Sequence, residues 1–456
     1  MRHRGRTGPG TSAQSDARQP VSPKGRQGYG TLALSGAFSL TSHAVGHFEM
    51  WWPIKIFLVL GVLLLAQSAW LLGDGFRFLR LVRRRRSCPP GSYTPPAAVV
   101  IPCKGVDAGF DANLECFLNQ DYPDYQAVFV VATSADLAYH GLHKRLDSPR
   151  ASGVIRKLRT SMVVAGVSDE RGEKVNNLLR GIEAVDPANQ VLVFADVDAA
   201  PSPNWLRSLV APLAESHITV STGYRWYLPG TSFASRLRAA WDTSIATMMG
   251  EHDRNFAWGG SMAIRAADFH KLGIAQRYWT STVSDDFALT RAVREAGGKI
   301  AFEPRCLVAS REESNLWGFF RWSTRQIILT RIYAPHIWRL GFAVCLFNAA
   351  TFMLGLAVLA MPGAMAYQRV TVASILCAVL LLGAGKGYIR TVVARELFAE
   401  ELGGRGSCYW QLSPLVSWIS LANFVMSAFT RRIEWRGTEY ELVSQDKVRV
   451  MKRSGG

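Results

Sequence analysis

The acidic residues offer the clearest chemistry in this chain. Asp196-Val197-Asp198 directly follows the apolar run VLVFA, which puts two carboxylates one residue apart at the end of an expected strand. Such a pair can hold a hard divalent cation, Mg²⁺ or Mn²⁺, that bridges diphosphate oxygens. The same spacing also serves turns and helix N-caps. Its place after an apolar strand favours function, because open α/β sheets bind ligands at the carboxyl ends of their strands. A second cluster, Ser284-Asp285-Asp286-Phe287, opens the helical pattern ALTRAVREAG. Capping alone favours acids in a first turn. Two adjacent acids carry more charge than a cap needs, and the neighbour raises one pKa towards the general-base range. Lys104 in PCKG and Lys174 in EKVNN flank the expected sheet edge. Lysines there are usually solvated, but the glycine after Lys104 lets backbone approach a ligand closely, as a phosphate cradle requires. The histidines show no HxxxH or HExxH spacing, so zinc chemistry is unsupported and His252 and His336 read as structural.

These residues need a scaffold, and residues 87–313 read as an alternation of strands and helices. Strands are expected at 97–102, 125–132, 159–165 and 191–196, with helices at 110–120, 135–146 and 172–184. Continuous apolar strands alternating with helices imply an α/β fold: a mostly parallel sheet covered by helices on both faces.

The remainder of the chain points to a membrane. Of 456 residues, 48% are hydrophobic and 19% charged, with a formal charge of +17. That excludes a disordered or fibrous chain and suits an anionic surface or a phosphorylated substrate. Seven scattered cysteines, never in CxxC spacing, argue against a disulfide framework. Residues 54–75 form a span whose stretch 56–73 is uncharged, residues 340–389 hold two more, and 411–430 is a weaker third C-terminal span or a re-entrant segment. Arg77, Arg80 and Arg83 to Arg86 follow the first span, which places the catalytic segment on the cytoplasmic side of an integral inner or cell membrane. Residues 314–338 mix Trp, Phe, Ile and Arg before a span and read as amphipathic helices in the headgroup plane. Residues 431–456 read as a basic, cytoplasmic-facing tail. Residues 1–49 read as disordered or as a misannotated extension, with Met50 as the start. Positive charge beside spans disfavours a nucleic-acid partner.

Several motifs in one order narrow this further. IPCKGVDAGFDANLECFLNQDYPDYQ, EKVNNLLRGIEA, FADVD, WGGSMAIR, SDDFALTRAVREAGGKIAF, FFRWSTRQ and the C-terminal IEWRGTEY resemble the pattern of ceramide glucosyltransferase-like enzymes and of bacterial hopanoid-type glycosyltransferases. The resemblance implies a GT-A nucleotide-sugar-binding domain with flanking transmembrane helices, and inverting transfer from a nucleotide-sugar donor, a UDP-hexose, to a membrane lipid hydroxyl. It implies Asp196 and Asp198 as metal- and diphosphate-binding acids, Asp286 as the acid that deprotonates the acceptor, and Asp285 where the family usually has Glu. Lys104 and Lys174 match positions near the donor. Arg321 and Trp322 match the Arg-Trp of the Q/RxxRW motif, on the acceptor side. Thr133 stands where the family usually carries a base-proximal Asp, with Asp136 three residues on, and Gly318 replaces the leading Gln or Arg of Q/RxxRW. The alternatives are a processive polysaccharide synthase, which wants more spans, and a membrane scaffold that kept the fold and lost the chemistry.

Overall fold

The protein is described here by a computed structural model covering residues 35–107, 109–146 and 157–453. Residues 1–34, and with them most of the expected disordered extension, lie outside the described residues. The chain divides between Trp52 and Pro53, and the architecture below is that of the second unit.

Helix α1 (Ser35–Arg86) ends in four arginines and leads into β1 (Ala97–Cys103), α2 (Phe110–Leu118), β2 (Asp124–Val131), α3 (Leu137–Leu146), β3 (Lys157–Val164), α4 (Glu173–Glu183) and β4 (Val191–Ala195). Each agrees with its expected element to within a few residues, because β1, β2 and β4 are almost wholly buried apolar runs that only a doubly covered sheet accommodates. After α5 (Trp205–Val210) come β5 (Ile218–Tyr227), α6 (Phe233–Ala246), β6 (Ser261–Arg265), α7 (Ala266–Lys271), α8 (Asp285–Glu295) and β7 (Lys299–Ser310). The seven strands form one sheet in the order β3-β2-β1-β4-β6-β5-β7. Only β6 runs antiparallel to its neighbours. Helix α4 lies close on β1 and β2 because Gly181 has no side chain: a Cβ there would come within 2.4 Å of Val100 and 2.8 Å of Val130.

Helix α9 (Leu316–Tyr333), capped by the Asn315 side chain accepting from Gly318 N–H at 2.7 Å, occupies the expected amphipathic segment. Pro335 then starts α10 (Pro335–Ala360), where a missing N–H costs nothing, and α11 (Ala366–Leu397) follows. Among the described residues three helices, Trp52–Arg86 of α1, α10 and α11, are long and apolar enough to cross a membrane. Short α12 (Ala399–Leu402) and α13 (Cys408–Gln411) precede α14 (Ser413–Phe429), and the segment Arg405–Gln411 meets α14 at a bend of 64°. Beyond it, the stretch read from sequence only as a basic tail forms an antiparallel sheet of β8 (Arg432–Trp435), β9 (Thr438–Ser444) and β10 (Lys447–Arg453). Its alternate residues Ile433, Tyr440, Leu442 and Val448 are buried against Val283, Ile328, Leu329 and Tyr333. The tail is therefore docked on the catalytic domain.

Candidate active site

The two acidic clusters converge on one lysine. Asp196 leaves the end of β4, Asp285 opens α8, and Lys174 rises from the first turn of α4 between them. Its ammonium lies 2.8 Å from Asp196 Oδ1 and 3.2 Å from Asp285 Oδ2, and donates to the Gly259 carbonyl at 3.1 Å. Burial alone would favour the neutral amine, but the carboxylates of Asp196, Asp285 and Asp286 outweigh it and hold Lys174 charged. Asp196 is half-buried, and although desolvation pushes its carboxyl up, Lys174 and Arg225 draw it below the ordinary range.

Asp285 and Asp286 differ sharply in surroundings. Asp285 is 1% exposed, and burial pushes its carboxyl up to about 7, against the pull of Lys174 and with the repulsion of Asp286 and Asp196. Asp286 is half-buried on the same cavity. Its Oδ1 accepts from the Phe287 N–H at 2.7 Å and from the Ser284 hydroxyl, and its Oδ2 from the Gly259 N–H at 3.3 Å. The glycine pair 259–260 has to be bare: a Cβ on Gly259 would come 2.3 Å from Asp285 Oδ2, and one on Gly260 2.8 Å from Asp196 Oδ2.

Two arginines that the sequence reading did not single out complete the donor side. Arg225 on β5 reaches Asp198 Oδ1 at 2.7 Å and Oδ2 at 3.3 Å, and Asp196 Oδ2 at 3.3 Å, with its guanidinium over the Trp258 ring. Arg436 comes from the turn between β8 and β9. It donates to the Lys104 carbonyl at 2.8 Å and to Asp107 at 3.1 Å, and lies 3.8 Å from Asp198 Oδ2. Among the described residues Arg436 is the one non-glycine with positive φ, 44°, followed by Gly437 at 78°. A two-residue hairpin turn requires positive φ at both positions, and an arginine there costs about 1–2 kcal/mol. The signal in the sequence was Arg-Gly between two alternating apolar segments.

The other expected residues divide. Lys104 lines the cavity and pairs with Glu173 at 2.9 Å. Trp322 lines it too, sandwiching the buried Arg238 against Tyr227 at 4.2 and 4.3 Å from the two ring centres. Arg321 faces away and pairs with Glu434, whereas Arg325, one turn on, reaches the cavity. Thr133 is exposed beyond the end of β2 and does not line the cavity. Asp136 instead organises the β1–α2 loop, accepting from Gly105 N–H at 2.7 Å and Ala138 N–H at 2.8 Å. Asp242 on α6 also faces the cavity; burial lifts its carboxyl to about 7 against the pull of Arg225 and Arg238, and its Oδ2 has no hydrogen-bond partner.

The cavity has a volume of about 2190 Å³. It runs from Asp196 and Asp286 to residues of the long apolar helices, among them Gln67 of α1, Asn348 of α10 and Gly383 of α11. A mostly parallel sheet with paired carboxylates at its carboxyl edge, braced by Lys174 and Arg225, is the site of a nucleotide-sugar transferase of the GT-A class. The profile of glycosyl transferase family 21 matches residues 65–448, and the chain belongs to that family. Among solved structures, the chain is similar to a mannosyltransferase of Pyrobaculum calidifontis in complex with GDP-Man and Mn²⁺, at 15% identity and a TM-score of 0.40 over 81% of this chain and 97% of that one. It is also similar to glucosyl-3-phosphoglycerate synthase of Mycobacterium tuberculosis in complex with phosphoglyceric acid, at 17% identity and a TM-score of 0.35 over 56% of this chain and 83% of that one. No curated protein matches the chain.

Proposed function

We propose that the protein is an inverting hexosyltransferase that moves a sugar from a nucleoside diphosphate, a UDP-hexose, to the hydroxyl of a membrane lipid, ceramide- or hopanoid-like. The observation that carries this reading is the single cavity that joins the Asp196–Asp286 cluster to the spanning helices. A lipid hydroxyl rising between those helices would meet the donor without leaving the protein. The arginines at the end of α1 favour a cytoplasmic position for the catalytic domain. The docked C-terminal sheet favours a re-entrant α14 that returns the chain to the face it left.

Asp286 acts as the general base. A base must reach the proton it takes, and geometry precedes pKa in choosing it. Asp286 opens on the cavity, whereas Asp285 lies behind it against Lys174. The three donors to Asp286 fix the direction of its carboxylate. Arg225, Lys174 and Arg436 form a cationic rim that binds the diphosphate and offsets the charge that grows on it as the glycosidic bond breaks. Asp198, with Asp196, would hold a divalent cation at this edge, Mg²⁺ or Mn²⁺ taking its other oxygens from phosphate and water, and Arg225 would then release its contacts to the two carboxylates. Bound there, the cation would supply Lewis-acid stabilisation of the leaving diphosphate. Trp322 and Arg325 border the acceptor side.

Membranes containing the protein should be incubated with a panel of labelled nucleotide sugars and the products resolved by mass spectrometry. Label in a small lipid is the expected result. Label confined to a high-molecular-weight polymer, or no transfer from any donor, would overturn the proposal.

A further inference from the structure

The catalytic reading leaves two cations of α11, one buried and one half-buried, without a task. Lys386 and Arg390 stand one turn apart on α11, on the same side of the helix. Arg390 is 4% exposed, and its Nε has no hydrogen-bond partner. Among the described residues no carboxylate pairs with it. The acid nearest Lys386 is Asp74 on α1, and Asp74 is already paired with Arg77. Arg390 therefore presents positive charge with no paired acid inside a bundle of apolar helices, and Lys386 beside it shares its one acid, Asp74, with Arg77. A guanidinium withdrawn from water with no acceptor is expensive, and ionisable groups at membrane depth are retained where a ligand or a partner satisfies them.

Its location says which ligand. Both side chains line the large cavity, and Ile389 and Val393, from the same stretch of α11, pack with Phe78 of α1 and Trp226 of β5. The pair therefore sits where the helix bundle meets the catalytic domain, at the level a lipid headgroup would occupy. Helices α1 and α11 touch closely there: a Cβ on Gly75 would come 3.1 Å from Ile389 Cδ1. Towards the bundle the cavity is lined by Leu64, Leu71 and Leu380, with Gln67 and Ser68 among them. A cationic floor under mostly apolar walls fits an acyl-chain-bearing anion better than a small solvated one. Guanidinium and phosphate match in geometry as well as charge.

We infer that Lys386 and Arg390 form a binding site for the phosphate headgroup of an anionic membrane phospholipid, wedged between α1 and α11 beneath the catalytic domain. The site does not depend on the identity of the acceptor, and it would stand if the transferred sugar went elsewhere.

The test is a lipid-retention measurement on the full chain purified in non-ionic detergent. Native mass spectrometry would follow titration with phosphatidylglycerol, with phosphatidylcholine and, in a third arm, with inorganic phosphate. Wild type should retain one phosphatidylglycerol at concentrations about tenfold or more below those needed for phosphatidylcholine, and should show no phosphate adduct. Arg390→Leu combined with Lys386→Met should abolish that preference. Arg86→Ala, an exposed charge at the end of α1, should keep it. Arg390→Leu should also melt no lower than wild type in lipid-free detergent, because the guanidinium it removes is unsatisfied there. Should the double variant fold poorly, Lys386→Met alone is expected to weaken retention. Equal retention of both lipids, an equally tight phosphate adduct, retained preference in the double variant, or a lower melting temperature for Arg390→Leu would each overturn the assignment.

Discussion

Replacing Asp286 by asparagine removes a proton acceptor while keeping nearly the same shape. The amide oxygen can still accept from Phe287 N–H and the Ser284 hydroxyl, as Asp286 Oδ1 does. The amide nitrogen then faces the Gly259 N–H, losing one long hydrogen bond of 3.3 Å. That loss amounts to about 0.5–1.5 kcal/mol of stability. Loss of the base should slow transfer by about 10² to 10⁴, equivalent to about 3–5 kcal/mol of barrier. The two effects are separable in size, so a catalytic role cannot be mistaken for a structural one. Donor affinity should change little, because Asp196, Lys174 and Arg225 are untouched. Asp285→Asn is the contrasting variant. Its carboxyl is pushed up to about 7 by burial, so near neutral pH it gains a negative charge that stabilises the positive charge developing on the transferred sugar. Wild-type turnover should therefore rise with pH through about 7, and Asp285→Asn should flatten that rise while retaining most of the rate. The assay is sugar transfer at saturating donor from pH 5.5 to 8.5, with nucleotide affinity and melting temperature measured on each variant. Near wild-type turnover in Asp286→Asn with activity abolished in Asp285→Asn would mean that the base is the other carboxylate. Normal turnover in both would remove this cluster from the chemistry.

Asp198→Ala should weaken donor binding and turnover together, and excess EDTA should stop transfer; full activity in EDTA would exclude the divalent cation. Arg436→Ala should raise the donor KM about tenfold or more through loss of a charge-assisted contact, with the acceptor KM unchanged, and steady-state kinetics in both substrates would expose any other pattern. Asp242→Asn should stabilise the protein by about 1–3 kcal/mol at pH 8. The folded carboxyl titrates at about 7 rather than near 3.8, so the folded state holds its proton longer and wild-type stability falls as pH rises through that window. The melting-temperature difference between variant and wild type should vanish at low pH, and a variant less stable at pH 8 would contradict the reasoning. A chain starting at Met50 should retain activity, and a well-expressed but inactive truncation would show that residues 1–49 matter.

The legible half of the sheet is the half whose strands are buried on both faces. VLVFA and AAVVIPC can be little else, and Asp196, Asp198 and Lys104 were placed by their position at those strand ends. The other half hides its pattern. β5 carries Arg225 within an otherwise buried strand, and β7 holds Pro304 and a buried Glu303 that pairs with Arg305 at 2.8 Å. Polar residues satisfied by partners inside the fold, near or far in sequence, erase the apolar signature. Arg225 and Arg436 were invisible for the same reason: their meaning lies in contacts made across 27 and 238 positions of chain with Asp198. The C-terminal strands do alternate in Ile433, Tyr440, Leu442 and Val448, but the density of basic residues there masked the period. Arg321 and Thr133 came from motif matching, and the fold turns both away from the cavity.

The hairpin bearing Arg436 also sets an order of assembly. Arg436 and Tyr440, whose hydroxyl accepts from the Glu173 N–H, are synthesised only after α10, α11 and α14. The nucleotide-binding edge is thus left unfinished while the ribosome is still threading helices into the bilayer. A nascent chain stalled at that stage would carry its carboxylates and Lys174 but lack the last guanidinium, and competence to bind donor would arrive only once the C-terminal sheet folds back. On the proposed function, folding of the C-terminal sheet would be the late event that completes the donor edge.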